Sequence, residues 1–111
     1  MDSEDRDATY KEFGEAVNMT PAALKTWLES EDSKAVGITP EGEDESVGHH
    51  SGRRIVEIKG KRKADLDDDD YAWMRKVVGY VKRHSAQRPK GDVTETRWRY
   101  SLMNWGHDPE K

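Results

Sequence analysis

The sequence predicts an all-α fold, one compact domain of about five helices with a long acidic loop. Three observations carry this. Apolar residues return at three- and four-residue spacing in several separate segments. Residues that start and stop helices bracket those segments. No alternating strand pattern runs through the chain.

The first helix is expected from about Asp7 to Val17, where Tyr10, Phe13 and Val17 form one apolar stripe. Asn18 can adopt the left-handed conformation that ends a helix. A strong start signal follows. Thr20 is a good N-cap, Pro21 suits the first helical position, and Met19 and Leu24 stand where a hydrophobic staple would close. Leu24, Trp27 and Leu28 make the buried face of this second helix, which should end near Ser30. Residues 31–45 carry Gly, Pro, Ser and acid without a period and read as the acidic loop.

A third helix follows from "VGHHSGRRIVEIK", starting at Ser46 or Ser51, with Val47, Ser51, Ile55 and Ile58 on one face. A short strand over "RRIVEI" competes, because Ile and Val are β-branched. The clearest element is "DLDDDDYAWMRKVVGYVKRHSAQ". Asp67 to Asp70 at its start and Lys82, Arg83 and His84 at its end both suit the helix dipole. Tyr71, Met74, Val78 and Val81 form its apolar stripe, while Arg75, Lys76, Gly79, Lys82 and Arg83 lie on the opposite arc. "RPKGD" is a turn. Asp92 is expected to cap a last helix running to about Asn104, with Gly106 as the turn residue after it. On that helix Thr94, Trp98, Leu102 and Trp105 face the core, leaving Arg97, Arg99 and Tyr100 as an outer strip and Asn104 near that side.

At 111 residues the chain has the length of one domain. Its charged content of 38% and mean hydropathy of -1.12 are polar enough to predict a disordered part, assigned to the acidic residues 1–6, with the helical domain spanning 7–111. With no cysteine, disulfides and thiolate metal sites are excluded. The acidic start "MDSEDRDATY" is neither a signal nor a transit peptide, and no apolar run is long enough to span a bilayer. The expectation is a soluble cytoplasmic protein with no membrane partner and no cofactor.

The net charge of -4 conceals a split: residues 1–47 carry -9 and residues 48–111 carry +5. Such a split predicts either a basic binding face or two halves that neutralise each other.

Three blocks together carry a resemblance: "VNMTPAALKTWL", "GHHSGRRIVEIKGKRKADLDDDDYAWMRKVVGYVKRH" and "QRPKGDVTETRWRYSLMNWGHDP". From about Phe13 to Pro109 the chain resembles a small family of unknown function found in prokaryotes and some fungi. Its members often carry the label "DNA-binding protein", without defined contact residues. The chain departs from that pattern at Trp73 and at Lys82, where histidine is expected or common.

Lys and Arg neutralise phosphates and give sequence-independent affinity for nucleic acid. The candidate contacts are Arg53, Arg54, Lys59, Lys61, Arg62 and Lys63, then Arg75, Lys76, Lys82 and Arg83. Arg97, Arg99 and Tyr100 complete the set. The leading expectation is a small non-catalytic DNA- or RNA-binding protein, DNA being the first choice, with mainly phosphate contacts and weak sequence preference. The alternative is a protein-interaction or regulatory domain with internally neutralised charge, in which the acidic loop engages a protein partner. A helix-turn-helix formed by the first two helices is disfavoured, because "PAALKTWLES" carries one cation and its long side chains read as core. The histidines His49, His50, His84 and His107 lack the spacing of a metal or catalytic motif, so neither is predicted. Asp67 to Asp70 lack the glycine and glutamate of a calcium loop and read as helix capping.

Overall fold

Side-chain caps set the starts of five helices in the computed structural model, which describes residues 3–111. The elements are α1 (Ser3–Ala16), α2 (Pro21–Leu28), α3 (Glu31–Ala35), α4 (Val47–Lys59), α5 (Asp68–Ser85) and α6 (Arg97–Asn104), with one 3₁₀ turn at Lys63–Asp65 and no strand among the described residues. Thr20 caps α2 by accepting the Ala23 amide at 3.1 Å, with Pro21 in the first turn. Ser46 caps α4 through the His49 amide, which selects the earlier of the two expected starts. At α5, Asp67 accepts the Asp70 amide while the Asp70 carboxylate accepts the Asp67 amide, a reciprocal capping box. "RRIVEI" lies within α4 as helix, so the strand alternative fails: Ile55 and Ile58 face the core one turn apart.

Four expectations about helix bounds and turns are corrected. α1 begins at Ser3, so Ser3 to Arg6 are helical rather than disordered; Met1 and Asp2 lie outside the described residues. Asn18 does not adopt the left-handed conformation, since among the described residues positive φ is confined to glycines. Its side chain instead clasps the C-terminal segment, donating to the Asp108 carbonyl at 2.9 Å and accepting the Asp108 amide at 2.7 Å. Part of the acidic loop is the short α3, capped by Ser30. The last helix begins at Arg97, not after Asp92. Thr96 is its cap, and Asp92 closes a turn onto Thr94 that carries Val93 into the core.

Within the fold α1 lies along α5 and α2 along α4, and α6 reaches all of α2 to α5. The main core joins Phe13, Val17, Leu24, Ile55, Met74 and Val77 with the Trp105 ring. Burying side chains of this size stabilises by roughly 1.5–3 kcal/mol each. Two close approaches need glycine. A Cβ on Gly52 would stand 2.5 Å from Leu28 and 2.6 Å from the Asn104 carbonyl, so the close approach of α4 to α2 and α6 at this point requires glycine. Gly106 turns the chain at φ +81°, beneath Val17. Asn104, expected on the outer side of α6, is buried. Its carbonyl oxygen accepts from the Trp27 indole (2.8 Å) and the Ser33 hydroxyl (2.5 Å), and its amide donates to the Ser33 carbonyl (3.0 Å). This one side chain ties α2 and α3 to α6.

An aromatic row joins α5 to α6. Trp105 stacks on Tyr80 with centroids 4.3 Å apart, and Tyr80 on His84 at 5.0 Å. Trp98 lies beyond His84 and donates its indole N–H to the His84 carbonyl at 2.7 Å. Burial keeps His84 below the ordinary histidine range, so the ring favours its neutral form and is not the helix-end cation that its position predicts.

Candidate nucleic-acid interface

The predicted basic residues do not form one surface. Carboxylates hold most of them. The largest cluster centres on Asp70, fully buried in the first turn of α5. Its oxygens face Arg54 Nη1 and Lys61 Nζ, each at 2.9 Å. Burial opposes the Asp70 charge, but the Lys61 ammonium, the Asp67 amide and the Arg54 guanidinium outweigh it and hold the carboxyl below its usual range. Arg54 and Lys61 thus tie α4 and the segment after it to α5. The run of aspartates reads as capping from sequence alone, and the ion-pair role of Asp70 is missed. The one available signal is that Asp70 stands in the third helical position, where a capping box turns a carboxylate inward.

Glu45 plays a similar part at the start of α4. It accepts from Arg53 Nε (2.7 Å) and Nη2 (2.6 Å) and from the His49 Nδ1, while His49 Nε2 faces the Leu28 carbonyl at 2.7 Å. Chiefly through Arg53, its pKa falls to about 2. An acid of the expected partner loop is therefore spent on an internal contact. Arg62 pairs with Asp65, three residues along the chain, and remains exposed. Lys63 pairs with Asp7 of α1 at 2.8 Å and lies over the Tyr10 ring. Lys59 lies half-buried above Phe13, and desolvation lowers its pKa.

The outer strip expected on α6 is largely occupied. Arg99 makes two hydrogen bonds to Asp108 (3.1 and 3.0 Å) and a third to the Thr94 carbonyl. Its pKa is raised by that Asp108 contact. Tyr100 packs against Trp27 with ring centroids 5.3 Å apart. Of the strip's two arginines, Arg97 has no carboxylate partner among the described residues; one guanidinium nitrogen reaches the Ala35 carbonyl at 3.3 Å. The four histidines do not converge on one centre, and among the described residues no three His, Asp or Glu side chains gather as metal ligands. His49 and His50 adjoin Glu45, His84 lies in the aromatic row, and His107 Nδ1 faces the Ala16 carbonyl at 2.8 Å.

The basic arc of α5 is divided lengthwise. On one flank Arg75 donates to Thr9 (3.3 Å) and Lys82 pairs with Glu12 (3.6 Å), both on α1. On the other flank Lys76 and Arg83 meet no carboxylate among the described residues. Lys76 lies over the Trp73 ring at 4.7 Å. Arg83 folds back along the helix, where a Cβ on Gly79 would stand 3.0 Å from its guanidinium. These two cations border a cleft of about 370 Å³, whose other walls come from Ile38, Val47, Tyr80 and Trp105. Ser101 of α6 also lines it, and Arg97 stands one helical turn before Ser101. The cleft volume lies in the range of small-ligand sites. Sequence reasoning finds its cations but not its walls, because Gly37 and Ile38 come from the segment read as loop.

Among the described residues no helix is long and apolar enough to cross a membrane. A sequence profile described as "Protein of unknown function (DUF3140)" matches residues 12–103. No curated protein and no solved structure matches the chain.

Proposed function

Because the chain belongs to the DUF3140 family, whose description names no activity, we propose from its own surface that it is a small non-catalytic nucleic-acid-binding protein. The observation that carries this reading is the cleft flank of α5, where Lys76 and Arg83 meet no carboxylate among the described residues and stand beside exposed apolar walls. Arg97 on α6 adds a third such cation. Their contacts would be to phosphate, with weak sequence preference. The interface is narrower than the sequence predicts: Arg53, Arg54, Lys61 and Arg99 serve internal contacts. DNA is the expected partner and the cytoplasm the expected location.

The test is binding of single-stranded and duplex DNA across a salt series. Affinity should fall steeply with salt, and the double variant Lys76→Glu, Arg83→Glu should weaken it by about ten-fold or more on every sequence. Absence of binding at low salt, or binding indifferent to salt, rejects the proposal.

A second reading keeps a specific observation of its own. Asp7, Glu12 and Glu45 from the acidic half neutralise Lys63, Lys82 and Arg53 from the basic half. That pattern favours a protein-interaction domain with internally neutralised charge. It predicts that the same double variant leaves nucleic-acid binding, if any is measured, unchanged.

A further inference from the structure

Three of the four tryptophans give their indole N–H to an acceptor. Trp27 donates to Asn104 at 2.8 Å, Trp73 to Ser51 at 3.1 Å and Trp98 to the His84 carbonyl at 2.7 Å. Trp105 does not. Its ring is 5% exposed, yet its Nε1–H meets no acceptor among the described residues. The nitrogen itself is not among the buried polar atoms left without a partner, so its N–H keeps access to solvent and to an acceptor from outside the fold. Both Trp105 and Gly48 line the cleft, and a Cβ on Gly48 would stand 3.1 Å from Trp105 Nε1. The glycine thus leaves open the space in front of the N–H.

The cleft wall is unusual in a second way. The described residues include three large exposed hydrophobics, Tyr10, Ile38 and Val47, and two of these, Ile38 (79% exposed) and Val47 (40%), line this cleft. An apolar wall, one donor with no partner within the fold and two cations along the border define a ligand. It is a partly apolar group that carries a hydrogen-bond acceptor and is joined to an anion. A nucleobase with its phosphate has this composition. Within a duplex its faces are stacked and its acceptors paired, so the base must be unpaired to enter.

We propose that the cleft takes one unpaired nucleobase, with its face against Ile38 and Val47, an acceptor on the Trp105 N–H, and its phosphate on Lys76 and Arg83. This rests on the nucleic-acid reading above and narrows it to single strands. Phosphate contacts alone would not distinguish single strand from duplex in this way; insertion of the base does.

The test uses the full chain, a labelled oligothymidylate, a labelled duplex of the same length, and two variants that touch no charge. Gly48→Ala sets a methyl group over the Trp105 N–H. Ile38→Ser removes the exposed wall, at a residue too exposed to govern folding. The single strand should bind about ten-fold more tightly than the duplex, and each variant should remove most of that advantage while duplex affinity holds. If Gly48→Ala fails to fold, Ile38→Ser alone decides. Equal affinity for the two probes, or single-strand binding that neither variant changes, overturns the base site and leaves the nucleic-acid reading standing. No binding of either probe at low salt overturns both.

Discussion

The two flanks of α5 carry similar side chains in different circumstances. Arg75 and Lys82 face α1, where Thr9 and Glu12 engage them. Lys76 and Arg83, a few residues away on the same helix, face a cleft walled by apolar and aromatic groups. Composition and helical spacing treat all four alike. The difference comes from what packs alongside: α1 is acidic and lies on one flank, whereas the segment after α3 presents Gly37 and Ile38 on the other. A cation engaged by its own fold offers less to a phosphate than one left facing solvent. Counting basic residues therefore overstates the available surface.

Four substitutions sharpen or break this comparison. The largest effect is expected at the anchored end. Asp70→Ala leaves Arg54 and Lys61 without their shared carboxylate and removes half of a capping box. It should cost roughly 2–3 kcal/mol by denaturant titration and leave nucleic-acid affinity little changed. A large change in affinity at unchanged stability would mean that these cations belong to the interface after all.

Glu45→Gln tests a second anchored pair. The folded pKa of Glu45, about 2, lies below its ordinary value of 4.5. The contribution is therefore complete above about pH 4.5 and is lost as the pH falls toward 2. Thermal melts between those limits should show a steeper acid loss for the native chain than for Glu45→Gln. Parallel curves would sink the assignment.

His84 probes the cleft flank. Its pKa is lowered by burial, so the unfolded chain binds the proton more readily. Stability should fall as pH drops below about 6.5, the ordinary histidine value, and His84→Phe should flatten that slope. A slope that survives the substitution would point to another group.

The smallest effect belongs to the exposed Lys82–Glu12 pair. Glu12→Gln should change stability by ~0.5 kcal/mol or less, a shift in melting temperature near the limit of detection. A clear loss would show α1 to be held by charge more than by Phe13 and Val17.

Much of the fold is legible in the sequence because its determinants are local. The stripe of Tyr71, Met74, Val78 and Val81 and the start signal Thr20–Pro21 both act within a few residues. Boundaries fail where two local solutions compete. Asp92 and Thr96 are both good caps, and burial of Val93 between them decides for Thr96. The site was less legible because its partners are distant in sequence. Lys63 meets Asp7 and Trp27 meets Asn104 only after the chain folds. Arg99 looked free on its helix because its acceptor, Asp108, lies beyond the turn at Gly106. The cations of the cleft were among those expected, but nothing local distinguishes Lys76 from Arg75.

The most direct measurement of that distinction is the salt dependence of single-strand binding for two double variants, Lys76→Gln with Arg83→Gln and Arg75→Gln with Lys82→Gln. Each removes two positive charges from the same helix. If the cleft flank alone meets phosphate, the first pair lowers the slope of log affinity against log salt by about 1.4, roughly 0.7 for each lost contact, and the second leaves it unchanged. Equal losses from both pairs, or a loss confined to Arg75 and Lys82, would contradict the account.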